Sequence, residues 1–215
     1  MNKIDIAVFD YGMGNLKSVS KAIEHVAPGK NVVVTCEPEE IRAADRVVFP
    51  GQGAMPECMH ELDTRGLHEA VISAANTKPF LGICIGLQML FEHSEEGDVK
   101  GLGLFQGNVK KFILDNQYDA FGEKLKVPHM GWNRVYQSEL PHVMWHNIVD
   151  GERFYFVHSY YVCPTDTSCV TGFGEYPKRF TCAVARDNIF AVQFHPEKSA
   201  QAGLQLLSNF VNWKP

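Results

Sequence analysis

Gly82-Ile83-Cys84-Ile85-Gly86 sets a cysteine between two glycines, where the apolar run Pro79 to Ile83 gives way to the helix-forming segment Leu87 to Glu92. A side chain on so sharp a strand-to-helix turn needs neighbours without bulk, and the glycines supply both clearance and unusual dihedrals. A thiol there is presented rather than packed, and the positive end of the following helix favours an anion beside it. Free cysteine is ordinarily a small buried hydrophobe. The paired glycines argue instead for a nucleophile that carries an acyl group.

A nucleophile needs a base, and Ala191-Val192-Gln193-Phe194-His195-Pro196-Glu197 offers one where an alternating strand ends in His195. Residues i and i+2 of an extended chain share a side, so Glu197 can hold one imidazole nitrogen while the other takes the nucleophile's proton. Pro196 stiffens the link. Taken alone, a histidine at a strand end is usually an ordinary surface or hydrogen-bonded residue. Pro50-Gly51-Gln52-Gly53 follows the apolar Arg46 to Phe49 and reads either as a plain turn or as a loop whose amides face an anion. Beside an elbow cysteine, Gln52 and Gly53 could join the amide of Ile85 as oxyanion donors. Gly12-Met13-Gly14-Asn15 lacks the third glycine of a dinucleotide fingerprint, which disfavours nucleotide binding there.

The elements that position these groups follow from hydrophobic spacing. Ile4 to Phe9, Asn31 to Thr35, Arg46 to Phe49 and Phe80 to Ile83 read as strands, with helical spacing over Leu16 to Val26 and Met55 to Ala75. This alternation predicts an α/β fold with an open, mixed, mainly parallel sheet flanked by helices. Ligands in such sheets bind beyond the carboxyl ends of the strands, where Cys84 and the Pro50 loop both fall. From about residue 105 the chain turns β-rich, with strands expected over Arg153 to Val162, Cys169 to Phe173, Phe180 to Arg186 and Ile189 to His195. A closing amphipathic helix is expected over Ala200 to Trp213.

Composition narrows the class of function. The 215 residues are 45 % hydrophobic and 21 % charged, enough for one full core, and a single domain over 1–215 is expected. A net charge of -5 gives no basic field for nucleic acid or an anionic membrane, and Lys110-Lys111 is too short a run to change that. Met1-Asn2-Lys3-Ile4-Asp5 enters a strand directly, unlike a signal peptide, and no long apolar stretch follows, so a cytoplasmic protein is expected. The six cysteines form no C-x-x-C pair and no zinc-like rhythm with histidine, so reduced thiols are expected, with no metal or cofactor.

Cys84 within GICIGLQ, Pro50 to Gly53, and His195-Pro196-Glu197 together resemble the class I glutamine amidotransferase family, in matching order over almost the whole chain. That resemblance implies a flavodoxin-like α/β fold and a glutaminase, with Cys84 attacking the glutamine side-chain amide, His195 moving the proton and Glu197 orienting His195. It assigns glutamine binding to Gly53, Gln88, Ser159 and Tyr160. It makes His158 structural rather than a second base. Leu87 stands where other branches of the family commonly carry histidine, which points away from the anthranilate, carbamoyl phosphate and GMP branches. Asp10 to Asn15, Pro128 to Asn133, Phe156 to Tyr160 and His195 to Ser199 instead resemble the branch serving imidazole glycerol phosphate synthesis. The implied partner is a HisF-type (β/α)8 cyclase subunit in a heterodimer, receiving ammonia in histidine biosynthesis. Asn15, His129, Trp132, Asn133, Tyr155 and Lys198 match positions at the partner interface or ammonia gate. The family usually has a small apolar residue at Gln52, which bears on how that loop turns. Ammonia supply for amidation of a surface-polysaccharide sugar, and a non-catalytic α/β interaction module, stay open as alternatives.

Overall fold

The computed structural model describes residues 3–114, 117–118, 122, 124–139 and 142–215; Met1 and Asn2, part of the leader argument, lie outside them. Three apolar runs of the first half, at Ile6–Phe9, Arg46–Gly51 and Phe80–Cys84, become strands buried on both faces, so helices must cover the sheet above and below. In chain order the elements are β1 (Ile6–Phe9), α1 (Leu16–Val26), β2 (Val32–Thr35), α2 (Pro38–Ala43), β3 (Arg46–Gly51), α3 (Met55–Thr64), α4 (His68–Thr77) and β4 (Phe80–Cys84). The elbow follows as α5 (Ile85–Gln88), then β5 (Phe91–Ser94), β6 (Val99–Lys100), β7 (Phe105–Lys111), β8 (His129–Gln137), β9 (Glu152–His158) and β10 (Tyr160–Pro164). β11 (Val170–Glu175), β12 (Arg179–Arg186), β13 (Ile189–Val192) and α6 (Ala200–Asn212) complete the chain.

The strands join in the order β2-β1-β3-β4-β13-β12-β10-β7-β5-β6, with β11 linking β12 to the β8–β9 ribbon. β4 lies parallel to both β3 and β13. That placement brings three distant segments of sequence to one rim: β4 ends at Cys84, Gly51 pairs with Cys84 in register, and β13 leads into His195. The buried residues around these strands form one connected cluster. Among the described residues, no helix is long and apolar enough to cross a membrane.

Several elements depart from their expected bounds. Met55 to Ala75 is two helices rather than one, because Gly66 takes φ +67° and Leu67 donates back to the Leu62 carbonyl at 3.0 Å, a left-handed helix stop. The elbow helix spans a single turn, not Leu87 to Glu92: Phe91 is buried and pairs with Phe105 in β7, so strand pairing overrides local helical preference. Arg153 to Val162 is interrupted at Ser159, which separates β9 from β10. Cys169 belongs to a 3-10 turn ahead of β11. β13 stops at Val192, where Gln193 donates to the Cys182 carbonyl at 2.8 Å, so His195 stands outside the strand. α2 was not foreseen, since its only buried residue is Ile41 and so short a segment has little periodicity to read.

The elbow packs tightly against its neighbours. A Cβ on Gly86 would fall onto the Phe49 carbonyl oxygen of β3, and one on Gly82 would lie 2.9 Å from Ala191 Cβ of β13. Gly86→Ala must therefore push α5 off the sheet, and a loss of about 1–3 kcal/mol of stability is expected in denaturant unfolding. An unchanged midpoint would show that α5 can retreat without cost.

Candidate active site

Cys84 ends β4 with φ 57° and ψ -112°, a conformation that a side-chain-bearing residue adopts only when its surroundings impose it. The nucleophile elbow expected from the glycines is therefore present in the backbone. Two details differ from expectation. Cys84 is only 4 % exposed and lines a recessed, partly open pocket instead of standing out on the surface. The single turn of α5 is also too short for a substantial helix dipole, leaving side chains as the main electrostatic influence on the sulfur.

His195 supplies that influence. Its Nδ1 lies 2.9 Å from Glu197 Oε1, and both side chains are almost completely buried. The strand geometry expected for this pair is replaced by a tighter one, an extended His195 followed by a 3-10 turn over Pro196–Lys198 that swings Glu197 back beneath the ring. The turn is anchored: His195 N–H donates to the Tyr155 carbonyl at 2.9 Å, and Ser199 Oγ donates to the His195 carbonyl at 2.6 Å while accepting from Tyr155 N–H at 3.0 Å. Burial opposes a charge on the imidazole, but the Cys84 sulfur and then the Glu197 carboxylate outweigh it and raise the His195 pKa to about 10. Its Nε2 makes no regular hydrogen bond, as is common at a catalytic pair before substrate tightens the contact.

Cys84 and His195 line a cavity of about 300 Å³ together with Gln52, Gly53, Ile85, Gln88, Ser159 and Tyr160. Every residue expected at the oxyanion hole and the glutamine pocket is thus brought to one place. Gln88 is buried, its Nε2 donating to the Tyr160 carbonyl at 3.2 Å and to Gln193 Oε1 at 3.1 Å, while its Oε1 has no partner. Gln193 Nε2 in turn lies 3.7 Å from Cys84 Sγ. In the loop, the Gln52 carbonyl accepts from Cys58 Sγ at 3.5 Å and Gly53 takes φ +102°, so the peptide between them is held from the α3 side. The wide Gln52 side chain is exposed and does not fill the loop.

Three participants escaped the sequence reading. Gln193 is a buried polar residue within the otherwise apolar Ile189 to Phe194, which is the signal that could have found it. Glu96 lines the cavity and accepts from Met55 N–H at 2.9 Å. Ser199 pins the His195 turn; it closes the His195 to Ser199 segment, but its residue type gives no sign of that role.

The expected docking residues divide by strand alternation. On β8, Met130 and Trp132 point outward and are 62 % and 51 % exposed, which excludes a core role for Trp132. His129 and Asn133 point the other way, and His129 is only 4 % exposed, so it lies behind that surface rather than on it. Tyr155 meets Trp132 edge-on at 6.2 Å, and Lys198 Nζ sits 5.9 Å from the Tyr155 ring. Asn15 precedes α1 without a side-chain capping bond. It follows Gly14, where an added Cβ would lie 3.8 Å from Pro50 Cβ.

The family model for glutamine amidotransferase class-I matches residues 7–213. The chain is 67 % identical over 210 residues to imidazole glycerol phosphate synthase subunit HisH of Dechloromonas aromatica, covering 98 % of this chain and 97 % of that one. It is 65 % identical to the subunit of the same name from Thiobacillus denitrificans, covering 99 % and 92 %. Among solved structures it superposes on PurLQS from Thermotoga maritima with TM-score 0.70 at 15 % identity, covering 98 % of each chain. The acivicin-bound glutaminase domain of Trypanosoma brucei CTPS gives TM-score 0.63 at 16 % identity, covering 99 % and 95 %. At such identities the structures speak to the fold alone.

Proposed function

This chain belongs to the class-I glutamine amidotransferase family, and from that premise we propose that Cys84, His195 and Glu197 are its catalytic triad. The convergence of these side chains on one cavity carries the reading. Cys84 Sγ passes its proton to His195 Nε2 and attacks the side-chain amide carbon of glutamine. Amides of Ile85 and of the Gln52–Gly53 loop receive the negative oxygen. His195 then protonates the leaving nitrogen, ammonia departs, and water activated by the same imidazole releases glutamate from the thioester. The free Gln88 Oε1 accepts from the substrate, the Glu96 carboxylate takes its α-ammonium group, and Ser159 and Tyr160 contact it through their backbone.

The chain is the glutaminase subunit of a two-part synthase in histidine biosynthesis, a reading supported by relatives named imidazole glycerol phosphate synthase subunit HisH and by the amidotransferase family. Its partner is a HisF-type (β/α)8 cyclase, which takes the ammonia to make imidazole glycerol phosphate and AICAR. Ammonia released into water would be protonated and lost, so a docked partner and exclusion of solvent belong to the chemistry. The exposed Met130 and Trp132 with neighbouring Tyr155 and Lys198 form an aromatic and cationic docking surface for that partner. The protein works as one domain in the cytoplasm.

The Gln52 carbonyl of the loop that completes the oxyanion hole accepts from Cys58, and the glycines beside it let docking of the partner change how the loop presents its amides. Glutamate release by the purified chain is expected to be slow and to rise about 10- to 100-fold with the cyclase and its nucleotide substrate. Fast hydrolysis by the chain alone, unchanged by the cyclase, would contradict this reading.

A further inference from the structure

Between the inner side of β8 and the cavity runs a row of hydrogen bonds with only one permitted direction. At its outer end Arg134 N–H donates to Asn133 Oδ1 at 2.8 Å, and Asn133 Nδ2 donates to the Glu175 carbonyl at 2.9 Å, which fixes the amide. The other amide hydrogen faces His129 Nε2 at 3.2 Å, so that nitrogen accepts and His129 carries its proton on Nδ1. His129 Nδ1 lies 2.9 Å from His158 Nε2. At the inner end the Tyr160 carbonyl can only accept, so His158 Nδ1, 2.8 Å away, donates and its Nε2 accepts. Read independently from either end, the chain demands the same Nδ1–H tautomer of both rings.

The rings have no room for a second proton. One on His158 Nε2 would face the His129 Nδ1–H, and one on His129 Nε2 would face the Asn133 amide. Burial lowers the His129 pKa to about 4; burial, then His129 and His195, lower that of His158 to about 3 against the favourable Tyr160 carbonyl. Among the described residues, Tyr176 is a further titratable neighbour, its ring stacked 4.1 Å from that of His129. Phe112, Phe156 and Phe180 close the remaining sides.

The Tyr160 oxygen receives a second bond from Gln88 Nε2, and that nitrogen's other bond goes to Gln193 Oε1. Both hydrogens of that amide are engaged, which leaves its buried oxygen as an unpaired acceptor on a side chain that lines the cavity. We propose that His129 and His158 are positioning residues: their one-way relay holds the Tyr160 carbonyl, and through it keeps Gln88 Oε1 turned toward bound glutamine. The relay rests on the glutamine reading of the cavity. Its outer end, Asn133, adjoins Trp132 along β8 but faces the opposite side of the strand.

Two measurements test the relay. In the complex with the cyclase, His158→Phe is expected to raise the KM for glutamine at least tenfold, with a smaller change in kcat. His158→Asn, whose amide can still donate to Tyr160, should retain most of the affinity. A KM within twofold of wild type in His158→Phe, or equal impairment in the two variants, would overturn the relay in favour of packing. Imidazole 15N shifts of the unsubstituted chain should show both rings neutral and Nδ1-protonated from pH 8 to 5. Titration in that range, or an Nε2–H tautomer, would overturn it as well. A wild-type complex that does not turn over glutamine would sink the functional reading, while the nitrogen shifts would still decide the relay.

Discussion

Replacing Cys84 by alanine is expected to lower glutamine-dependent product formation by the assembled synthase at least about 10⁴-fold, while added ammonium salt still supports the partner's reaction. The size follows from the role: without the sulfur there is no thioester, and binding and oxyanion stabilisation alone leave only a small residual rate. The selectivity follows from the division of labour, since the alanine sits at an elbow whose fold is imposed by Gly82, Gly86 and the β3–β4–β13 pairing. Removing Sγ costs Gln193 Nε2 only its weak 3.7 Å contact, so the docking face is left unaltered. Product formation from both nitrogen sources, measured side by side, checks this. Equal loss with glutamine and ammonia would mean that Cys84 supports the assembly rather than the chemistry.

Glu197→Gln should cost about 10²–10⁴-fold in kcat with little change in KM. Glu197 Oε1 is the acceptor for His195 Nδ1 at 2.9 Å, and Oε2 is buried without a partner. A glutamine there either presents an N–H to Nδ1, forcing the wrong tautomer, or leaves its amide hydrogens buried and unpaired; both arrangements remove the negative charge behind the ring. That charge, after the Cys84 sulfur, also contributes to the pH dependence. Because the folded pKa of His195 is raised from 6.5 to about 10, its contribution to stability is complete below about pH 6.5 and disappears as the pH rises toward 10. The variant, with one of the two supports of the imidazolium removed, should lose less stability across that interval. Melting temperatures recorded between pH 6 and 10 give the two slopes. Parallel slopes, or a kcat within tenfold of wild type, would show that Glu197 does not act on the ring.

Much of this site was legible in the chain. The glycine pair around Cys84, the His195-Pro196-Glu197 segment and the glycine-rich loop after Phe49 each carry chemistry in their residue types, and strand alternation placed two of them at one sheet rim. What failed to show were contacts made at a distance. Phe91 ends the elbow helix because β7 is available to pair with it, and Gly66 divides the long helical stretch through its backbone geometry. His129 was read as a partner-interface or ammonia-gate position, and that it points inward could not be seen, since the alternation along β8 becomes informative only once its buried face is known.

The sequence by itself singled out Cys84, His195 and Glu197 as candidate nucleophile, base and orienting acid and pointed to the α/β class and the family, because those readings depend on residue identity and on short-range spacing. Tertiary structure alone decided that His195 and Glu197 meet through a 3-10 turn, that Glu96 lines the cavity and Gln193 contacts Gln88 and Cys84, and that Asn133, His129, His158 and Tyr160 form one directed chain. The physical reason is that a hydrogen bond's direction, and the cost of an unpaired polar group, depend on which groups are buried together. Positions 129 and 158 meet only because β8 and β9 pair antiparallel in register.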